Sequence, residues 1–238
     1  MKKDTLIKEE SKNKWNLSVV GGINYLNSIT KGSSIDKNLE NNSIDHNFSY
    51  NFGVYLNYDA NEKFSFRVGI HKLQMNYRTT RILIEEPQIQ LGSLTQINGI
   101  STQYTGTINS IFNNDSHINI TQKIIYIEVP TELKYRLKNN HNYKLDLIAG
   151  YSTLFLQNNS IYGDSNNTKK FKIGTTDNVS KVNLSMNLGI SNQFELSNNL
   201  FLNLELNYKQ YLNTYNKNNM NLAPFMINLQ TGLTYKVQ

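Results

Sequence analysis

Between residues 48 and 58 the chain alternates with a period of two. The even positions are Phe48, Tyr50, Phe52, Val54, Leu56 and Tyr58. Between them lie Ser49, Asn51, Gly53, Tyr55 and Asn57, a face that is small and polar. Successive side chains of a strand point to opposite sides, so this pattern predicts a strand with one apolar face. The apolar face carries aromatics at both ends. A strand of a soluble sandwich alternates too, but aromatic bookends are what two membrane–water interfaces select.

Seven further segments repeat the pattern. Residues 15–25 place Trp15, Leu17, Val19, Ile23 and Tyr25 on one face, against Asn16, Ser18, Gly22 and Asn24. Residues 63–76 begin with Phe64, Phe66, Val68 and Ile70 outward, and the phase slips near Lys72, which predicts a bulge or the end of the lipid belt. Residues 124–137 set Ile125, Ile127, Val129, Leu133 and Tyr135 against Glu128, Pro130, Glu132, Lys134 and Arg136. Segments 144–156, 180–194, 200–211 and 225–237 complete the set, with runs such as Leu200, Leu202, Leu204, Leu206 and Tyr208 on the apolar side. The segments run to about 11–14 residues, at or slightly above the roughly 9–11 a tilted strand needs to cross a bilayer.

The connections alternate in length. Asp59–Glu62, Lys138–Asn142 and Leu196–Asn199 are short, whereas 27–47, 77–122, 157–178 and 212–223 are long. Short turns on one rim and long loops on the other predict an all-β fold, an eight-stranded antiparallel up-and-down transmembrane β-barrel. An even strand count puts both termini on the short-turn, periplasmic side, with the long loops extracellular. Arg81–Ile84 and Thr105–Phe112 have strand-like content inside the second long loop, so ten strands is the alternative. Neither piece alternates over a membrane-length run, which favours eight. The domain reading is a polar N-terminal tail over 1–14 followed by the barrel over 15–238.

Composition fits this picture without deciding it. A mean hydropathy of −0.51 describes a soluble chain and equally a barrel, because only every second strand residue meets lipid. No stretch approaches the roughly 20 apolar residues of a membrane helix. There is no Cys, hence no disulfide framework and no thiolate metal site. The net charge of +6 is spread without a basic stripe, so nucleic-acid binding is not expected. Met1–Lys14 has no apolar core of the kind an export signal requires. An exported barrel with this start is expected to be a mature form or to follow a further N-terminal region.

Several motifs resemble the outer membrane β-barrel domain proteins of the Bacteroidota, over nearly the whole chain from Trp15. The most specific are Ile127-Glu128-Val129-Pro130-Thr131-Glu132-Leu133-Lys134-Tyr135 and Gly150-Tyr151-Ser152-Thr153-Leu154-Phe155-Leu156. Lys31–Asp36, Phe64–Gly69 and the closing Thr231–Lys236 accompany them. The resemblance implies a place in the outer membrane of a Gram-negative bacterium and no defined activity. It also implies a cytoplasmic segment, a membrane helix and a linker ahead of the barrel in many members. Such barrels usually end on an aromatic read by the outer-membrane assembly machinery. Here the end reads Lys236-Val237-Gln238, and Tyr235 is the candidate substitute.

The polar faces hold the candidate chemistry. Arg67, Glu128, Glu132, Lys134, Arg136, Asp146, Glu205 and Lys209 all point inward in this reading. An eight-stranded barrel is just wide enough for side chains to fill it, and buried charges must pair. Four acids against four bases predict a plugged lumen rather than a selective pore. Glu128 and Glu132 resemble a catalytic carboxylate pair only in spacing. Four residues along a strand separate them by about 13 Å, and Lys134 and Arg136 are their expected partners. His46, His71, His117 and His141 are scattered without metal-ligand spacing. Ser33 and Ser34 lack the Gly-x-Ser-x-Gly frame of a nucleophile. Pro130 is expected to mark a bulge. Lys169, Lys170 and Lys172 in the third long loop are candidates for contact with lipopolysaccharide phosphates.

The leading expectation is therefore a monomeric, non-enzymatic outer-membrane barrel with a structural, anchoring or surface-interaction role, needing no cofactor and no metal. Its partners are outer-membrane lipid and the assembly machinery. The alternative is a narrow channel or transporter for small solutes, and a soluble lipocalin-like barrel is the third reading.

Overall fold

The computed structural model describes residues 14–35, 39–45, 47–83, 97–98, 112, 117–140, 143–176, 178–215 and 222–237. The tail expected over 1–14 lies outside them except for Lys14, as do His46, His141, Ile84 and most of the Thr105–Phe112 piece.

The strands are β1 (Trp15–Ser28), β2 (Ser43–Asp45), β3 (Ser49–Asp59), β4 (Phe64–Leu83), β5 (Ile97–Asn98), β6 (His117–Asn140), β7 (Tyr143–Asp164), β8 (Phe171–Thr176), β9 (Val182–Ser197), β10 (Leu200–Tyr211) and β11 (Pro224–Lys236). Eight of them form an antiparallel ring. β1 pairs β3, and the order continues through β4, β6, β7, β9, β10 and β11. β11 then pairs β1 from Asn16↔Lys236 to Ser28↔Pro224, which closes the cylinder. The remaining three, β2 on β4, β8 on β7 and β5 on β8, belong to the long connections.

Short turns follow from local chemistry. In the β3–β4 hairpin the Asn61 side-chain oxygen accepts hydrogen bonds from the backbone N–H groups of Lys63 and Phe64, both at 2.9 Å. Asn bends the chain this way because its short side chain reaches its own following backbone.

The outward face is apolar and open. Leu17, Val19, Phe52, Val54, Phe66, Val68, Leu188, Leu204, Leu206 and Leu229 are all exposed. An apolar surface encircling a whole molecule is unfavourable in water and is what a bilayer covers. Aromatic pairs bound it. At the short-turn rim Trp15–Tyr58, Phe64–Tyr135 and Tyr143–Phe194 have ring centroids 4.8, 5.2 and 5.3 Å apart. At the other rim stand Tyr25–Phe48 and Tyr208–Phe225.

Three strands run far past the belt. β4, β6 and β7 have 20, 24 and 22 residues, so the segments expected there were too short. β4 contains Arg81–Leu83, which leaves that piece inside one of the eight strands rather than in an extra hairpin. Nor is there a bulge at Lys72, because the pairing with β6 keeps one register from Phe64↔Tyr135 to Thr79↔Ile120. Above Ile70 the inward residues become Leu73, Met75 and Tyr77, all buried, while Lys72, Gln74, Asn76 and Arg78 face out. The apolar face has changed sides because the strand has left the membrane. Pro130 also sits in continuous register, opposite Ser152, and the shifts of β6 fall instead between Ile125 and Tyr126 and between Arg136 and Lys138. It faces inward, and the ladder to β4 is interrupted at Pro130 and Val129 and then resumes in the same register, so the missing N–H breaks the ladder locally without a bulge.

The emerging sheet is held together on both sides. Outside, Arg78 on β4 reaches across β6 to Asp164 on β7 with hydrogen bonds of 3.0 and 2.6 Å, and Asp45 on β2 lies 3.8 Å away. Inside, Ile82, Ile118, Ile120, Ile161 and Ile173 pack under the loop residues Ile35, Leu39 and Phe112.

Candidate functional site in the barrel lumen

The inward face alternates between large and very small residues, and the small ones make room. A Cβ on Gly53 would lie 2.1 Å from Cδ2 of His71, one on Gly69 2.7 Å from Cδ1 of Tyr55, and one on Gly150 2.8 Å from Cγ of Glu132. Each glycine on one strand thus leaves the volume that a side chain of the next strand fills.

All eight charged residues expected inside face the lumen, seven of them buried and Arg136 partly so. Arg67 is the hub. Its Nε donates to Glu132 at 2.6 Å, and its two Nη atoms donate to the two oxygens of Glu205 at 2.8 and 2.9 Å. Its guanidinium also stacks on the Tyr55 ring, 4.0 Å from the centroid. Lys134 lies 3.6 Å from Glu205 and 3.7 Å from Asp146 and donates to Ser191. Arg136 donates to Asp146 at 2.9 Å. Lys209 donates to Glu128 in an ion pair of its own. The expected partners of the glutamates are therefore corrected. Glu132 belongs to Arg67 and Glu128 to Lys209, while Lys134 and Arg136 serve Asp146 and Glu205. Arg67 faces Glu132 in register on the adjacent strand, and Lys209 reaches Glu128 across the lumen, and the sequence displays neither strand register nor cross-lumen proximity.

Neutral groups complete the pairing. Asn187 donates to Glu132 and to Ser152, and Gln230 donates to Glu205 at 2.9 Å. Asn228 bridges Asn24 and Asn51 at 2.7 and 2.9 Å. Towards the short-turn rim, Ser18 and Thr234 are 2.6 Å apart across the β1–β11 seam. There Phe201 carries Lys144 and Lys236 over its ring, at 5.0 and 4.6 Å.

Sequence reasoning missed a second layer. Above the Glu128–Lys209 pair the lumen is filled by Leu26, Leu73, Met75, Tyr77, Ile124, Tyr126, Leu154, Tyr211 and Met226, roofed by Val179 and Tyr215 from the loops. Those two loop residues are joined by a β-bridge. The signal was the apparent phase slip at Lys72, read as an end rather than an exchange of faces.

The other candidates do not converge. Among the described residues no group of three or more His, Asp or Glu side chains is placed to hold a metal. His71 packs edge-on against Tyr55 in the lumen, 4.4 Å between ring centroids, and His117 begins β6 far above it. Ser33 Oγ accepts a hydrogen bond from the Ile35 backbone, a turn contact. Lys170 lies over the Tyr162 ring at 4.9 Å, and Lys169 and Lys172 are exposed nearby.

Residues 8–210 match the family described as outer membrane protein beta-barrel domain. The chain belongs to that family. Its place is accordingly the outer membrane of a Gram-negative cell, as the apolar belt and the two aromatic rims require. Several solved structures are similar at low identity. Neisserial surface protein A is 9% identical over 94% of this chain and 97% of its own, with a TM-score of 0.48. OprG of Pseudomonas aeruginosa is 10% identical over 95% and 97%, with a TM-score of 0.47. Ail of Yersinia pestis is 12% identical over 94% and 98%, with a TM-score of 0.41. No curated protein matches the sequence.

Proposed function

We propose that this protein is a closed outer-membrane barrel with a structural, anchoring or surface-interaction role, and that it is neither a conduit nor an enzyme. The observation that carries this reading is the double filling of the lumen, paired charges below and packed apolar side chains above. The cavity left among the charges measures about 20 Å³, room for about one water. Every lumen carboxylate of the network is engaged by a cation, which leaves none poised as a proton acceptor for a substrate.

The work then falls to the extracellular sheet of β4, β6 and β7, extended by β2, β8 and β5. Lys169, Lys170 and Lys172 lie on this side, and contact with lipopolysaccharide phosphates is part of the proposal. So are a monomeric state, a Bacteroidota source suggested by the motifs around Pro130 and Gly150, and Tyr235 as the aromatic offered to the assembly machinery.

Conductance in planar bilayers tests the reading. The reconstituted barrel is expected to give no discrete current steps. Steps that vanish on Glu132→Gln or Arg136→Gln would establish the narrow-channel alternative instead.

A further inference from the structure

Among the described residues, the upper aromatic rim has a gap on β4 and β6, between Phe52 of β3 and Phe155 of β7. It is built where β10 meets β11, by Tyr208 and Phe225, and where β1 meets the start of β3, by Tyr25 and Phe48. On the arc of β4 and β6 the outward apolar run ends on Ile70 and on Ile125, and the next outward residues are Lys72 and Lys123. Lys72 stands in register between Phe52 and Ile127, and Lys123 between Asn76 and Ser160. Both therefore occupy the border between the lipid belt and the polar sheet above it.

Neither lysine has an acidic partner among the described residues, whereas Arg78, six residues beyond Lys72 on β4, is matched by Asp164 and Asp45. The contrast is informative. Among the described residues, the sheet pairs its cation with acids where it stands in water and leaves the two lysines at the headgroup level without them. Gln74 and Asn76 lie between the two lysines on the same outward face, hydrogen-bonded to each other at 3.2 Å, and offer further amide donors.

We infer that the outward face of β4 and β6 around Lys72 and Lys123 is a binding site for a phosphorylated glycolipid headgroup of the outer leaflet. The two lysines are four residues apart in register, about 13 Å along the strand direction. A disaccharide carrying a phosphate at each end reaches both, whereas a single phosphate reaches one. This inference rests on the outer-membrane placement but not on the sealed lumen, and it adds a second contact, on the barrel wall at the headgroup level, to the one proposed above for the loop residues Lys169, Lys170 and Lys172.

The test uses the folded full chain in phosphatidylcholine bicelles doped with diphosphoryl lipid A, monophosphoryl lipid A or the dephosphorylated disaccharide lipid, with retained lipid counted by native mass spectrometry. Diphosphoryl lipid A is expected to be retained best, and Lys72→Gln/Lys123→Gln to weaken retention roughly thirtyfold, at about 1 kcal/mol for each of the two basic residues near an anionic surface. Lys169→Gln/Lys170→Gln/Lys172→Gln is expected to weaken it less. Loss in the triple variant with none in the double would move the contact to the loop and overturn the inference. So would equal retention of the dephosphorylated lipid, or displacement of the lipid by millimolar inorganic phosphate. Heat-modifiable migration on gels confirms that each variant is folded, and the conductance assay separates failure here from failure of the sealed-lumen reading.

Discussion

Lys209 on β10 and Glu128 on β6 meet across the lumen at its change of character, with paired charges on one side and Leu73, Ile124 and Met226 on the other. The pair is the last polar rung below the apolar filling. Removing one partner leaves the other charge buried and alone, which generally costs about 3–5 kcal/mol. Lys209→Met is therefore expected to lower stability by that order, and Lys209→Met/Glu128→Met to recover most of it. Reversible urea unfolding in lipid vesicles checks both, and equal loss in the single and double variants would show that packing, not charge, dominates there.

The two seals act in series. Arg67→Ala/Glu205→Ala removes the hub of the charged layer but leaves the apolar layer intact. The expected result in planar bilayers is a current no larger than that of the unaltered barrel. A stable conductance in this variant would show that the tyrosine and aliphatic side chains above do not block ions.

Lipid exposure distinguishes two outward positions on the barrel. Leu204 lies in the middle of the belt on β10, and Gln74 lies above it on β4. Leu204→Arg is expected to cost about 2–4 kcal/mol and Gln74→Arg at most about 1. Unfolding from lipid vesicles measures the difference, and similar costs would misplace the belt.

Gly53 leaves its volume to His71. Gly53→Val is expected to destabilise the barrel by about 1–3 kcal/mol or to abolish the heat-modifiable folded band. His71→Ala in the same chain restores part of the loss, because the ring is one obstacle and the Ile70 carbonyl, 2.4 Å from the added Cβ, is the other. A neutral effect of Gly53→Val would mean that β3 and β4 are further apart than described.

Much of this was legible in the sequence because alternation reports faces directly. β10 was placed residue for residue, and the inward set from Arg67 to Lys209 followed from parity alone. What parity cannot show is which inward residues meet, since partners such as Arg67 and Glu205 come from strands distant in the chain. Nor does a lipid-facing rule survive beyond the lipid. Leu73 and Tyr77 obey the same geometry as Arg67, but the solvent outside had changed, and with it which side is apolar. Pro130 differs from its expected bulge for a related reason, because an inward position in a ring can interrupt the ladder on one side while the other side keeps register.

The seam between β1 and β11 joins the two ends of the chain, with Ser18 and Thr234 separated by 216 residues in sequence. Contacts that distant carry a large loop-closure cost before they return any stability, which slows folding. The ring is therefore expected to close last, after β11 has been delivered. Until then β1 and β11 are open edges with unpaired backbone, the kind of surface that recruits other strands. Assembly of this barrel is expected to be limited by that final zippering and to depend on keeping the two edges apart from foreign strands while it waits.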